Sequence, residues 1–202
     1  MEFLLLTLLV LVVLVLGVYA LGFFLPDHVA MRRDITINAP RETVFALIGD
    51  FNRWPVWSPW TERDPEAKYT IEGAGVGHLM AWTSEVRSVG NGSQRITAFD
   101  PPRGIESDLN FGAMGGAHAV FQLEEKGPSS THVTWAFESS MRRGVPVLMQ
   151  PVATYMGFMM EKFLGPDYEK GLAGLKRAAE EEAGDAPAPA QFTPRQTSGS
   201  AK

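Results

Sequence analysis

Residues 145–183 read VPVLMQPVATYMGFMMEKFLGPDYEKGLAGLKRAAEEEA, and the fold turns on how this stretch is interpreted. Met149, Val152, Met156, Met159, Met160, Phe163, Tyr168, Leu172 and Leu175 recur at helical spacing. Glu161, Lys162, Glu169, Lys170, Lys176, Arg177 and Glu180 to Glu182 fill the other positions. The pattern predicts one long helix laid on a sheet. Four of the chain's nine methionines fall between Met149 and Met160. Flexible thioether side chains suit a surface that adapts to a variable apolar partner; the plainer reading is a face buried in a core. At about 100° per residue, Leu172 and Leu175 share the side of Tyr168, whereas Met156, Met159 and Phe163 lie roughly opposite. A straight helix cannot bury both sets against one sheet. Gly165-Pro166 sits between them, and proline removes a helical N–H and crowds the preceding turn, so a kink is expected there. The half beyond it would close the core. The half with Met149, Met156 and Met160 would border a cavity and move to admit a ligand.

Upstream, the pattern changes period. Residues 33–38 alternate, with Ile35 and Ile37 inward, and predict a first strand ended by Ala39-Pro40. Pro40 starts a short helix carrying Val44, Phe45, Leu47 and Ile48. Trp54, Trp57 and Trp60 follow within seven residues, interleaved with Pro55 and Pro59, which forbid a long regular helix. Their indoles read as core packing, as the entrance to a cavity, or as anchors at a membrane interface. Six short alternating runs then succeed one another at 68–72, 78–85, 94–100, 105–111, 117–125 and 131–139, separated by glycine-rich turns such as Gly90-Asn91-Gly92. Short connections imply an antiparallel meander.

The ends differ from this domain. Residues 3–25 carry no charge and only Thr7 and Tyr19 as polar side chains. At about 1.5 Å per residue such a segment crosses a bilayer core of roughly 30 Å. A cleavable signal would want a basic start and a shorter apolar run, so a retained anchor is expected. Arg32 and Arg33 follow the span and no Lys or Arg precedes it, which places the globular part in the cytoplasm of a single-pass cell-membrane protein. Residues 26–31 would form the tether, 32–183 the domain, and 184–202, rich in Pro, Ala, Ser and Gln, a disordered tail.

Several chemistries are excluded or weakened. The chain has no cysteine, so thiol catalysis and disulfides are out. Its net charge is −5 without a basic run, unlike a nucleic-acid binder. His28, His78, His118 and His132 lack metal-ligand spacing. No nucleophile elbow, P-loop or dinucleotide fingerprint is present, so no cofactor is implied. Glu106 and Asp108 share one strand face and form a candidate acid/base pair only if that face lines a cavity; otherwise they are the wet side of the sheet.

The order strand, two short helices, six antiparallel strands, long helix resembles the START/Bet v 1-like (SRPBCC) superfamily, in its polyketide cyclase/dehydrase-like branch. The resemblance is carried by ITINAPRETVFALIGD (35–50), WPVWSPW (54–60) and GPDYEKGLAGLK (165–176). It implies an α+β helix-grip fold, a seven-stranded curved antiparallel sheet wrapped around the last helix, here with an added N-terminal transmembrane helix. It also implies an internal cavity for an apolar ligand such as a lipid, quinone or polyketide. On that resemblance the cavity is expected to be lined by Trp57, Trp60, Met80, Trp82, Phe111, Met114, Phe121 and Trp135 from the sheet side. Met149, Tyr155, Met156, Met160 and Phe163 are expected to line it from the helix. Three roles fit: a membrane-anchored carrier, which the anchor, the implied cavity and the methionine-rich helix favour; a cyclase or dehydrase using a polar cavity residue such as Tyr155; or a protein-interaction platform with a small cavity and an apolar outer sheet.

Overall fold

A computed structural model describes residues 2–112 and 115–185. An apolar helix, α1 (Glu2–Leu21), precedes β1 (His28–Ile37), α2 (Arg41–Ile48), a 3-10 turn (Phe51–Val56) and α3 (Pro59–Arg63). Six strands follow: β2 (Lys68–Glu72), β3 (Leu79–Thr83), β4 (Gly92–Asp100), β5 (Gly104–Asn110), β6 (Gly116–Gly127) and β7 (Ser130–Ser140). The chain closes with α4 (Gln150–Asp185). The seven strands form one antiparallel sheet in the order β1-β7-β6-β5-β4-β3-β2, the helix-grip architecture that the alternation and the closing motif imply.

Strand parity sorts the side chains. Phe121 pairs with Trp135 and Ile105, and Ala119 with Phe137 and Ser107, so one face of the sheet collects the core. A register shift in β4 between Ile96 and Ala98 increases the local twist of the sheet, as a bulge does. At the far end, Val44, Leu47, Ile48 and Phe51 meet Leu172, Leu175 and Ala179, all of them buried. Each such aliphatic or aromatic side chain contributes roughly 1.5–3 kcal/mol by leaving water.

Two expectations change here. The first strand begins at His28, and residues expected as tether instead pair with β7, His28 opposite Ser140 and Met31 opposite Phe137. More important, α4 continues as one helix through Pro166 rather than breaking there. Pro166 leaves the Lys162 carbonyl without a helical donor, but both residues are exposed, so water can take that place. Gly165 serves another purpose. A Cβ there would lie 2.8 Å from the Arg33 guanidinium, which crosses the helix to donate to Glu169 at 3.0 Å and Glu161 at 3.2 Å.

The rotation of α4 is also unexpected in its first half. The face toward the sheet carries Pro151, Thr154, Gly157 and Gly165, whereas Met149, Val152, Met156, Met159 and Phe163 are exposed. A Cβ on Gly157 would sit 2.8 Å from Met141 Cγ and 3.0 Å from Val29, so only the small side of the helix fits against β1. Beyond Gly165 the arrangement is conventional, with Tyr168, Leu172 and Leu175 buried as the closing motif implies.

Helix α1 is long and apolar enough to cross a membrane, with mean hydropathy 3.0 and no buried residue along its span. It touches the domain at its last turn. Tyr155 Oη donates to the Val18 carbonyl at 2.6 Å, and the Tyr19 hydroxyl donates to the Leu148 carbonyl. Arg142 donates to the carbonyls of Gly22 (2.8 Å) and Leu25 (2.5 Å) and, through Nε, to Thr154 Oγ1 (2.9 Å). A cation placed where a helix leaves its carbonyls unpaired is favourable both as donor and as charge.

Candidate ligand cavity

The tryptophan segment builds one end of a cavity. Helix α2 is only eight residues long and leaves carbonyls unpaired at its C-terminus. Trp54 Nε1 donates to the Ile48 carbonyl at 3.0 Å and Trp57 Nε1 to the Leu47 carbonyl at 3.2 Å. Both indoles are therefore buried, Asp50 holds the turn by accepting from the Asn52 amide, and Pro59 starts α3. Trp54 and Trp57 pack rather than meet solvent. Trp60, half-buried, stands edge-on to Trp135 and Tyr168.

Between this segment, the sheet and α4 lies a cavity of about 140 Å³. Its walls are Phe51, Trp54, Pro55 and Trp60 at one end, and Tyr69, Ile71, Met80, Trp82, Leu109, Ala119 and Phe137 along the sheet. Leu164 and Tyr168 are the lining residues from α4, and Val89 and Phe111 border it as well. Of the expected residues, the structure brings Trp60, Met80, Trp82, Phe111 and Trp135 together in this wall. Trp57 and Phe121 stand behind it, Phe121 stacked on Trp135 at 4.6 Å. Met114 lies outside the described residues.

The helix contribution needs correction. Met149, Met156 and Phe163 are exposed, Met160 is half-buried against the core, and Tyr155 is turned to α1; none lines the cavity. Helical period alone groups these residues on one face. The close fit of Gly157 and Gly165 against β1 then turns that face outward. Tyr69, Ile71, Gln94, Leu109, Leu164 and Tyr168 were not anticipated as lining. Gln94 shares strand parity with Ile96, a signal that pointed inward.

Polar groups in the wall are few. Gln94 Nε2 donates to Ser107 Oγ at 2.8 Å, so that pair is mutually satisfied and buried. Ser58 and Thr61 add hydroxyls. Trp135 Nε1 is buried with no acceptor among the described residues, an unusual state for an indole N–H. Tyr168 stacks on Trp135 with centroids 3.9 Å apart, and burial pushes its phenol far above the ordinary 10.0, which keeps it protonated. No Asp, Glu, His, Lys or Arg is among these lining residues.

The carboxylates of β5 face the other way. Glu106 and Asp108 are exposed on the outer sheet, where His118 Nδ1 lies 2.8 Å from Asp108 and Nε2 3.4 Å from Glu106. The acid/base reading required this face to line the cavity, and it does not. Large apolar side chains exposed to solvent gather on α1 and on the first half of α4 rather than on the outer sheet. His78 is buried and stacked on Phe51 at 4.8 Å; its Nε2 accepts from the Phe51 amide at 3.0 Å while Nδ1 lies 3.0 Å from the Glu72 carbonyl. A carbonyl only accepts, so Nδ1 carries the proton and the ring is a neutral structural link.

Similar solved structures share the fold at low identity. An aromatase/cyclase, Zhui from Streptomyces sp. R1128, is 15% identical with a TM-score of 0.58, covering 77% of this chain and 95% of that one. A START superfamily protein from Mycobacterium smegmatis is 18% identical with a TM-score of 0.55, covering 76% and 99%. The Aha1 dimer from Colwellia psychrerythraea is 22% identical with a TM-score of 0.50, covering 75% and 96%. No curated protein matches the chain. The family described as polyketide cyclase / dehydrase and lipid transport matches residues 28–180, which span β1 to the last turns of α4 and include every wall of the cavity. The chain belongs to that family.

Proposed function

We propose that this chain is a membrane-anchored binding or carrier protein for an apolar small molecule of lipid, isoprenoid, quinone or polyketide-like character. The observation that carries the reading is the uncharged, aromatic-rich wall between the sheet and α4. An ionised ligand would enter such a site without a counter-charge, at a cost of several kcal/mol. An apolar ligand would replace water by contact with this wall. The volume is close to that of the ~150 Å³ engineered cavity that takes up benzene, so it houses one ring or a short chain segment. A longer ligand would extend past Val89 and Phe111. Helix α1 would hold the domain on a cell membrane, with Arg32 and Arg33 favouring its cytoplasmic side.

The test is mass spectrometry of the full chain, purified in mild detergent from its own membranes, beside an Ala119→Leu variant that fills the wall. A co-purifying apolar molecule lost in the variant supports the reading. Wild-type protein that binds no more than the variant overturns it.

A second reading, a cyclase or dehydrase acting on the same class of molecule, is favoured by Tyr168, a protonated phenol among the lining residues. A neutral donor can polarise a substrate carbonyl. Tyr168→Phe separates the readings, because a carrier keeps its ligand whereas an enzyme loses turnover while still binding.

A further inference from the structure

The first half of α4 is amphipathic in the inverse sense. Its small residues face the sheet, and Val152, Met156, Phe158, Met159 and Phe163, with Leu148 and Met149 in the turn just before the helix, stand exposed, Leu148 at 75%, Met156 at 57% and Phe163 at 62%. Val152, Met156, Met159 and Phe163 are spaced by four, three and four residues, which makes one continuous stripe. From Leu148 to Phe163 it is roughly 22 Å long. Contiguous exposed apolar surface of this kind marks an interaction site. What covers it is indicated by its neighbours. The stripe starts where α1 ends, since Tyr19 and Tyr155 bond across the junction and Arg142 ties the α1 terminus to Thr154. Phe24, in the turn after α1, is 85% exposed. Charge agrees at the end nearest α1. In a chain of net charge −5, no Asp or Glu occurs from Ser139 to Met160 and Arg142 and Arg143 precede the apolar residues, while Glu161 and Lys162 stand together at the far end.

We propose that the stripe on α4 lies in the headgroup–acyl boundary of the bilayer that α1 spans, so that the domain is docked on the membrane along this helix rather than tethered at a point. The proposal rests on the anchor reading of α1 given above. A helix at the C-terminal end of a spanning segment is already at headgroup depth, where an apolar face with basic flanks partitions favourably and tyrosines are at home. Docking fixes the orientation of the domain. The opposite face of α4 contributes Leu164 and Tyr168 to the cavity wall, which places that wall one helix diameter from the lipid.

The absence of cysteine makes the test clean. Single variants Met156→Cys, Phe163→Cys, Leu11→Cys and Arg95→Cys of the full chain are labelled with an environment-sensitive fluorophore and reconstituted in vesicles of phosphatidylcholine with phosphatidylglycerol. Labels at 156 and 163 should shift to the blue and be quenched by lipids brominated near the carbonyl, label 11 by lipids brominated near the chain end, and label 95, on the outer sheet, by neither. Water-like emission at 156 and 163 with label 11 quenched overturns the docking and leaves the anchor standing. An unquenched label 11 overturns the anchor, and the docking with it. Protection at 156 and 163 that vanishes on dilution with excess lipid assigns the stripe to a second copy of the chain, which also overturns the proposal.

Discussion

A Cβ placed on Gly174 would lie 2.5 Å from the carbonyl oxygen of Trp57. The long helix therefore rests directly on the backbone of the tryptophan segment, with no side chain between. Gly174→Ala cannot be absorbed by a rotamer change, because the clash is with main chain. The helix-propensity gain of alanine, about 1 kcal/mol at most, opposes an overpacking cost of about 1–3 kcal/mol. A net loss is expected in denaturant unfolding. Gly165→Ala would displace the Arg33 guanidinium from Glu161 and Glu169, exposed pairs, and should cost less than Gly174→Ala, while Gly184→Ala meets nothing and should be nearly neutral.

His78→Ala removes the acceptor for the buried Phe51 amide. An orphaned buried donor costs about 1–3 kcal/mol, and the lost stack on Phe51 adds to it. Urea unfolding should show this loss. His118→Ala, on the outer sheet, should show almost none, since its ion pairs are exposed.

Tyr168 gives the fold an alkaline limit. Burial raises its phenol above the ordinary 10.0, so the folded state disfavours the phenolate that the unfolded chain forms freely. Its contribution is fully present below pH 10 and is lost progressively as pH rises above it. One of the four tyrosines should resist titration until the domain unfolds, as read from tyrosinate absorbance. Tyr168→Phe should flatten the alkaline slope of stability.

Arg142→Ala should loosen the segment between α1 and β1 without unfolding the domain, leaving the Tyr155–Val18 and Tyr19–Leu148 bonds in place. Its guanidinium is the shared partner of the Gly22 and Leu25 carbonyls and of Thr154, while the core lies elsewhere. Thermal unfolding of the domain should change little, and protease cleavage within residues 22–27 should accelerate by the freedom gained.

The sequence by itself determined which residues share a face and in what order the elements come. Alternation in β5, β6 and β7 placed Ile105, Phe121 and Trp135 inward, and the turn glycines made the sheet antiparallel. The apolar run before Pro26 announced a helix of membrane-crossing length. These features are local, because period and turn chemistry act over a few residues. Only the tertiary structure decided which face of α4 meets the sheet. Periodicity grouped Met156, Met159 and Phe163 correctly, but Gly157 and Gly165 owe their role to Val29, Met141 and Arg33, far away in the chain. Close approach of the helix selects the small face for burial, and the large apolar face is left outward beside α1. The cavity wall was hidden for the same reason. Tyr69, Gln94, Leu109 and Leu164 become neighbours only when a curved sheet closes on a helix, and no spacing in the sequence records that distance.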